Sequence, residues 1–190
     1  MLDACREAGV RPDFISWHHY EKNPDVIMRA IDEGRRLCDS YGFTDCELII
    51  NEWHFFGEYT WGELRSSDPA VLRRVWSGPA SHNGIDSSCF NLTMLSKFQA
   101  SRLDQAYYYY GCRSIGAWGY MDSFKTKYKV YYGLKMFGDF IKGRGSMCAS
   151  TGAKGVTLLA AMAPDGTRKA FIATDYRAGV SEIAVDARTD

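Results

Sequence analysis

The spacing of apolar residues changes repeatedly along the first 145 residues, and these changes predict helices that alternate with strands. Asn23 followed by Pro24 is a typical helix start, because Asn is a favoured N-cap and proline is tolerated in the first turn. Runs of branched and aromatic residues between turn signals predict strands. Helices are predicted at residues 2–9, 23–42, 68–78, 85–103 and 130–143, and strands at residues 13–17, 46–53 and 105–111.

The strand at residues 46–53 indicates how these elements pack. Leu48, Ile49 and Ile50 are consecutive, whereas a strand with one solvent face alternates apolar and polar residues. A consecutive run is typical of a parallel strand that is covered on both faces. Together with the alternation of helices and strands, it predicts an α/β fold with a parallel sheet over residues 1–145.

The last part of the chain has a different pattern. Residues 155–176 contain two apolar segments joined by Pro164-Asp165-Gly166, which is a strong turn signal, and residues 180–187 have the pattern of a further strand. Successive strands joined by a tight turn predict antiparallel structure. We therefore expect a second, small β domain at residues 146–190.

Composition and charge narrow the class of function. The 190 residues carry 23 basic and 23 acidic side chains, so no basic excess favours nucleic-acid binding. No run approaches the roughly 18 apolar residues of a transmembrane helix. The six cysteines include no C-x-x-C pair of the kind found in zinc ribbons and redox motifs. We expect a protein that uses no cofactor and binds neither nucleic acid nor membrane.

Each predicted strand of the parallel sheet ends in polar or ring-bearing residues. The first ends in Trp17-His18-His19-Tyr20, the second in Asn51-Glu52-Trp53-His54, and the third in the tyrosines of residues 107–110. The carboxyl ends of parallel strands meet at one edge of a sheet, where clefts and active sites form. The sequence therefore predicts a site that combines a carboxylate, imidazoles and aromatic rings.

Glu52 is the residue of this set best suited to catalysis. It follows three apolar residues, so it is either an ordinary surface or ion-paired carboxylate or one that a rigid strand holds in place. A carboxylate held in this way can act as a nucleophile or as a general base. Strand alternation places Glu52 and His54 on one face and Asn51 and Trp53 on the other.

A metal site is an alternative interpretation of the same residues. His18 or His19, together with Glu52 and His54, could supply two histidines and one carboxylate. His18 and His19 are adjacent and point to opposite faces of a strand, with Tyr20 on the side of His18. Aromatic residues make up 14% of the chain and suit a sugar-binding cleft better, so we expect no metal.

At these strand ends the chain resembles the clan A glycoside hydrolases. Their sixth barrel strand often has a D-F-[IV]-S-x-H-x-Y pattern, which is similar to DFISWHHY, and their nucleophile follows a [TNS]-E-W pattern on the seventh strand, similar to LIINEWHF. Their eighth strand and closing helix resemble QAYYYYGCRSIGAWGYMDSF and KVYYGLKMFGDFIKGRG. The β domain of family 39 xylosidase- and iduronidase-like enzymes, and of arabinofuranosidase-like relatives, resembles VTLLAAMAPDGTRKAFIATDY.

The resemblance implies a retaining glycosidase on a (β/α)8 barrel, an enzyme that cleaves an oligosaccharide or glycoside with two carboxylates about 5–5.5 Å apart. Glu52 is then the nucleophile, and Tyr20 and His18 hold its carboxylate and the substrate hydroxyls. Tyr110 and Trp118 are expected to line the sugar subsite, although Gly111-Cys112 replaces a more usual polar pair. The expected substrate-binding residues are His18, Tyr20, Trp53, His54, Tyr110 and Trp118.

One part of the family pattern is missing. The acid/base of this clan is a Glu after Asn on the fourth strand, and Asn51-Glu52 is the only Asn-Glu pair in the chain. A full barrel needs about 250 residues. We therefore expect a partial TIM barrel, its last three βα units, at residues 1–145, a truncated β-sandwich at residues 146–190, and no turnover by the isolated chain. Unpaired sheet edges then predict self-association.

Two other functions compete with this interpretation. A non-catalytic carbohydrate-binding remnant would keep the aromatic rim without the chemistry. A metal-dependent hydrolase would use Glu52, His54 and a nearby histidine. Xylose, arabinose, uronic-acid and glucose-type substrates are all compatible with the sequence.

Overall fold

A three-stranded parallel sheet and its helices form the larger part of the computed structural model, which describes residues 1–113, 118–174, 179 and 182–184. The helices are α1 (Leu2–Glu7), α2 (Pro24–Ser40), α3 (Pro69–Ser77), α4 (Ile85–Phe98) and α5 (Lys129–Lys142), with a 3-10 turn at Glu63–Arg65. The strands are β1 (Phe14–Glu21), β2 (Glu47–Phe55), β3 (Gln105–Tyr108), β4 (Cys112–Arg113), β5 (Met121–Asp122), β6 (Ser146–Cys148), β7 (Val156–Met162) and β8 (Arg168–Thr174).

The parallel sheet has the strand order β1-β2-β3, and neighbouring strands run in the same direction. Helix α2 lies between β1 and β2 in the chain, and α3 and α4 lie between β2 and β3, as crossover connections of parallel strands require. The predicted α/β fold is confirmed at this level. Its assignment to the last three units of a barrel stays a prediction, because three strands do not close a barrel.

The apolar core lies between this sheet and helices α2 and α4. Leu48 of β2 belongs to one buried cluster with Ile27 and Ile31 of α2. Burying side chains of this size contributes about 1.5–3 kcal/mol each. Helix α2 begins as predicted, since the side chain of Asn23 accepts a hydrogen bond from the N–H of Asp25 at 3.0 Å.

Arg35 is a buried charged residue of α2 that holds the loop leading to β2. Its Nη1 and Nη2 groups donate to the carbonyl oxygens of Cys46 and Phe43, both at 2.6 Å, and its Nε donates to the carboxylate of Asp39 at 2.9 Å. The guanidinium therefore donates to two carbonyl groups, of which that of Phe43 also accepts from the N–H of Cys46 at 3.2 Å. In this way the start of β2, and with it the strand that carries Glu52, is fixed against α2.

Replacing Arg35 by Met is expected to lower the free energy of unfolding by about 3 kcal/mol, because two carbonyls and a carboxylate lose a donor. Urea denaturation measures the difference. The control is Arg36→Met, at the exposed neighbouring position of the same helix, which should change stability by less than about 0.5 kcal/mol. Equal effects of the two substitutions would contradict the role assigned to Arg35.

The C-terminal segment forms an antiparallel sheet in the order β6-β7-β8. The predicted hairpin is confirmed: β7 and β8 are joined at residues 164–166, where Gly166 has a φ of +80° and the Asp165 side chain accepts a hydrogen bond from the N–H of Thr167 at 2.9 Å. Strand β6 is an addition that the sequence pattern did not predict. The further strand predicted at residues 180–187 lies outside the described residues except for positions 182–184.

This second sheet packs against the helices of the larger part. Leu159 and Phe171 share a buried cluster with Phe137 and Phe140 of α5, and Leu92 of α4 packs against it. The domain boundary at residue 146 and the β-sandwich stay predictions. A sandwich consists of two packed sheets, and the described part of this segment forms the single sheet β6-β7-β8. Among the described helices, none combines the length and apolar content needed to cross a membrane.

Candidate active site

The strand that carries Glu52 contains a β-bulge at Asn51. Along β1, Trp17 lies opposite Ile50, but the next residue, His18, lies opposite Glu52, so one residue of β2 is skipped. The ladder between β2 and β3 is irregular at the same place. A bulge of this kind adds one residue to one strand and changes the direction of the side chains that follow.

The bulge decides the face on which Glu52 lies. Regular alternation would place Glu52 on the face of Leu48 and Ile50, which are buried beneath the helices. After the bulge, Trp53 and Phe55 occupy that buried face instead. Glu52 therefore lies on the opposite face, where its side chain is 24% exposed. The carboxylate thus avoids the cost of burial in the core although it follows an apolar run.

On this face the structure brings together Glu52, Tyr20 and His18, three of the residues predicted to form the site. The hydroxyl of Tyr20 donates a hydrogen bond to Oε1 of Glu52. Nε2 of His18 lies 3.6 Å from Oε2 of Glu52, and the His18 side chain is largely exposed. One carboxylate oxygen is therefore held by a phenol, and the other lies beside an imidazole.

The ring of Tyr20, whose hydroxyl binds this carboxylate, contacts three further aromatic rings, two of which were not predicted. The ring centroid of Tyr20 lies 5.2 Å from Trp118, 5.5 Å from Trp61 and 6.3 Å from Tyr109. Trp61 and Trp118 are stacked at 5.9 Å. The only sequence signal for Trp61 was its position in the long aromatic loop after β2, and Tyr109 was part of a run of four tyrosines.

Tyr110, which was expected to line the subsite, is the residue that follows Tyr109 in the chain. Its ring contacts that of Tyr109 at a centroid distance of 4.7 Å, whereas Tyr109 contacts both Tyr20 and Trp118. The peptide bond between Tyr109 and Tyr110 is cis. By its ring contacts with Tyr20 and Trp118, Tyr109 takes the place that was expected of Tyr110 within the described residues.

Two buried histidines lie behind Trp118. The imidazoles of His54 and His82 are stacked with their centroids 4.2 Å apart. The ring centroid of His82 lies 4.0 Å from that of Trp118, and the two rings meet edge to face. The Tyr59 hydroxyl forms a hydrogen bond with Nδ1 of His82. His54, predicted to bind substrate, is fully buried. Its contacts support Trp118 from behind.

The hydrogen bonds of His54 define its tautomer. Nδ1 lies 2.9 Å from the carbonyl oxygen of Phe55, which can only accept, so Nδ1 carries the proton. Nε2 then accepts a hydrogen bond from the Tyr108 hydroxyl at 2.6 Å. Both nitrogens are engaged, and the imidazole is held as a neutral ring.

Burial keeps this group of side chains uncharged. Desolvation lowers the pKa of His54 to about 3, and it also lowers the pKa of His82, with a further contribution from the neighbouring His54. Burial likewise raises the pKa of the Tyr108 phenol, which therefore stays a donor. At neutral pH the support behind Trp118 carries no charge.

Trp53 was expected to bind substrate, and the structure places it elsewhere. Trp53 is buried on the helix face, where its ring lies 5.3 Å from both Phe98 and Tyr108, so it does not border the carboxylate of Glu52. Among the residues that the structure describes, no three His, Cys, Asp or Glu side chains form a group that could hold a metal. The set of His54, Glu52 and a second histidine is therefore not assembled.

No family model matches the chain, and no curated protein matches it. Solved structures do match. A glucosidase from Croceicoccus marinus aligns with a TM-score of 0.65 and 20% identity over 90% of this chain and 35% of its own. A monomeric beta-xylosidase from Caulobacter crescentus aligns with a TM-score of 0.54 and 14% identity over 84% of this chain and 33% of its own.

A third similar structure is an alpha-L-arabinofuranosidase from Thermotoga maritima in complex with arabinose, with a TM-score of 0.54 and 14% identity over 90% of this chain and 39% of its own. All three proteins are glycosidases, and at these identities the likeness concerns the fold. The chain therefore shares its fold with a part of each of these glycosidases and spans 33–39% of their length. The narrower assignment to family 39 stays a prediction.

Proposed function

We propose that this chain is the nucleophile-bearing part of a retaining glycosidase and that Glu52 is the nucleophile. The observation that carries the proposal is the position of Glu52 after the bulge. Its carboxylate leaves the helix-covered face and lies beside His18 and Tyr20, with a hydrogen bond from the Tyr20 hydroxyl, and the Tyr20 ring in turn contacts Trp118. A held, solvent-accessible carboxylate beside indole and phenol rings suits attack on a bound sugar.

In the proposed reaction, an oxygen of Glu52 bonds to the anomeric carbon while the bond from that carbon to the leaving oxygen breaks. A second carboxylic acid protonates the leaving oxygen, and its carboxylate then takes a proton from the water that displaces Glu52. Oε1 already accepts from Tyr20, which leaves Oε2 as the attacking atom. Tyr20 and His18 act as positioning residues for this carboxylate, and Trp118, Tyr109 and Tyr110 form the wall of the sugar subsite.

The second carboxylate is proposed to come from outside this chain. The sequence contains no other Asn-Glu pair, and the similar glycosidases extend well beyond the segment that they share with it. In this proposal β1, β2 and β3 are the last three strands of a (β/α)8 barrel and β6–β8 begin a β-sandwich. The outer strands β1 and β3 of the described sheet would then meet the rest of the barrel, or associate with other copies when it is absent.

The proposal is tested by covalent labelling of the 190-residue chain with 2,4-dinitrophenyl 2-deoxy-2-fluoro glycosides of xylose, glucose and arabinose. Dinitrophenolate leaves without a proton, so the first step does not depend on the missing acid. Intact-mass spectrometry should show one added fluorosugar, and peptide mapping should place it on Glu52. Sugar binding without any adduct would instead indicate the non-catalytic carbohydrate-binding function. An adduct on another residue would contradict the assignment of Glu52.

A further inference from the structure

A groove beside Tyr20 is not used by the proposed chemistry. It lies between the ends of β1 and β2 and has a volume of about 460 Å³, within the roughly 300–1,000 Å³ that is usual for small-molecule sites. Its walls include the rings of Tyr20, Phe56 and Tyr59 and the charged side chains of Lys22 and Glu58. Tyr20 is also the residue that contacts Glu52, so the groove begins where the proposed sugar subsite ends.

Trp61 lies between this groove and the aromatic wall of the site. Its ring centroid is 4.7 Å from Phe56 and 5.5 Å from Tyr20, both of which line the groove, and 5.9 Å from Trp118. The indole is nevertheless 50% exposed. Three ring contacts border the indole while about half of the residue stays exposed to water. A rigid, exposed indole of this kind offers the flat apolar surface on which the C–H face of a sugar stacks.

The charges of the groove favour an uncharged ligand. Its lining contains three glutamates, Glu21, Glu58 and Glu63, and one lysine. Nζ of Lys22 lies 2.5 Å from Oε1 of Glu58, and Glu63 pairs with Arg74. The lysine of the lining, and Arg74 next to it, are therefore already paired with carboxylates. A sugar acid needs a free Arg or Lys, and here it would meet an excess of negative charge.

We propose that Trp61 and this groove form a second subsite for a neutral sugar residue, linked to the residue that Glu52 attacks. This proposal rests on the proposed function. It restricts the substrate class of the proposed glycosidase to neutral oligosaccharides. Trp61 supplies the stacking surface. Lys22 and Glu58, at the rim, supply hydrogen-bond donors and acceptors for the hydroxyl groups.

The experiment compares, by isothermal titration calorimetry, the binding of xylose, xylotriose, glucose, cellotriose and trigalacturonate to the 190-residue chain and its variants. A neutral trisaccharide is expected to bind about tenfold more tightly than its monosaccharide, because the second residue stacks on Trp61. Trp61→Ala should remove most of this gain, measured as the ratio of trisaccharide to monosaccharide affinity within the same variant, and Trp61→Phe should keep part of it. Trigalacturonate should bind more weakly than either neutral trisaccharide.

The control is Phe124→Ala, which removes an aromatic side chain that is 75% exposed and lies outside the site. It should leave every affinity unchanged. A gain that survives in Trp61→Ala, or equal binding of trigalacturonate, would overturn the second subsite while the labelling of Glu52 still supports the proposed function. Binding of no sugar, together with no labelling, would count against the proposed function itself, and the subsite would fall with it.

Discussion

Replacing Glu52 by Gln is expected to reduce the rate of covalent labelling by the fluorosugars at least about 10³-fold, because the amide cannot act as the nucleophile. The substitution keeps the size of the side chain and one oxygen that accepts a hydrogen bond from Tyr20. The bulge and the aromatic wall should therefore be unchanged. The measurement is the appearance of the singly labelled mass over time at saturating reagent.

Two further variants make this result specific. Glu47→Gln changes a carboxylate on the same strand, at the end remote from the site, where it accepts a hydrogen bond from Gln105 at 3.0 Å, and should label at the wild-type rate. Tyr20→Phe removes the hydrogen bond to Oε1 of Glu52 and should slow labelling about tenfold, the loss expected for one hydrogen bond to a charged group. Full labelling of Glu52→Gln would show that another residue is the nucleophile.

Lowering the pH from 7 to 5 is expected to lower the free energy of unfolding by about 2 kcal/mol through His54 alone. Burial lowers the pKa of His54 from 6.5 to about 3. At pH 5 the unfolded chain therefore binds a proton at this residue and the folded chain does not. Stability is highest above pH 6.5 and is lost as the pH falls towards 3.

The other buried imidazoles act in the same direction. Burial also lowers the pKa of His82. It lowers the pKa of His19 too, which is less buried and where the negative charge of Glu21 partly opposes the shift. The ordinary pKa values of Asp and Glu are 3.8 and 4.5, so carboxyl groups titrate mainly below this window. Urea denaturation at several pH values between 7 and 5 measures the slope.

A double variant, His54→Gln with His82→Gln, separates this effect from general acid sensitivity. It should be less stable than the wild type at pH 7, because packing around Trp118 is lost, but most of the pH dependence between 7 and 5 should disappear. The slope is the informative quantity, since any destabilising substitution lowers the absolute value. A slope equal to that of the wild type would show that the stacked pair does not control acid stability.

The secondary structure was largely determined by local sequence. The Asn23 cap with Pro24, the turn at residues 164–166 and the consecutive apolar residues of β2 each act within a few positions, and the helices and strands predicted before residue 175 are present. The polar strand ends likewise identified Glu52, Tyr20 and His18 before any contact between them was known. Parallel strands bring their carboxyl ends together, so order along the chain is enough to predict such a cluster.

Other features were decided by tertiary structure alone. The bulge at Asn51 depends on pairing with both neighbouring strands. Because of this bulge, Glu52 lies outside the core and Trp53 lies within it, which the periodicity of β2 does not predict. The position of Trp61 depends on how a long loop folds back over Tyr20. A sequence by itself determines which residues form a strand and which chemistry they carry. The face that each side chain occupies is set by register and loop closure, because a shift of one residue reverses every side chain of a strand.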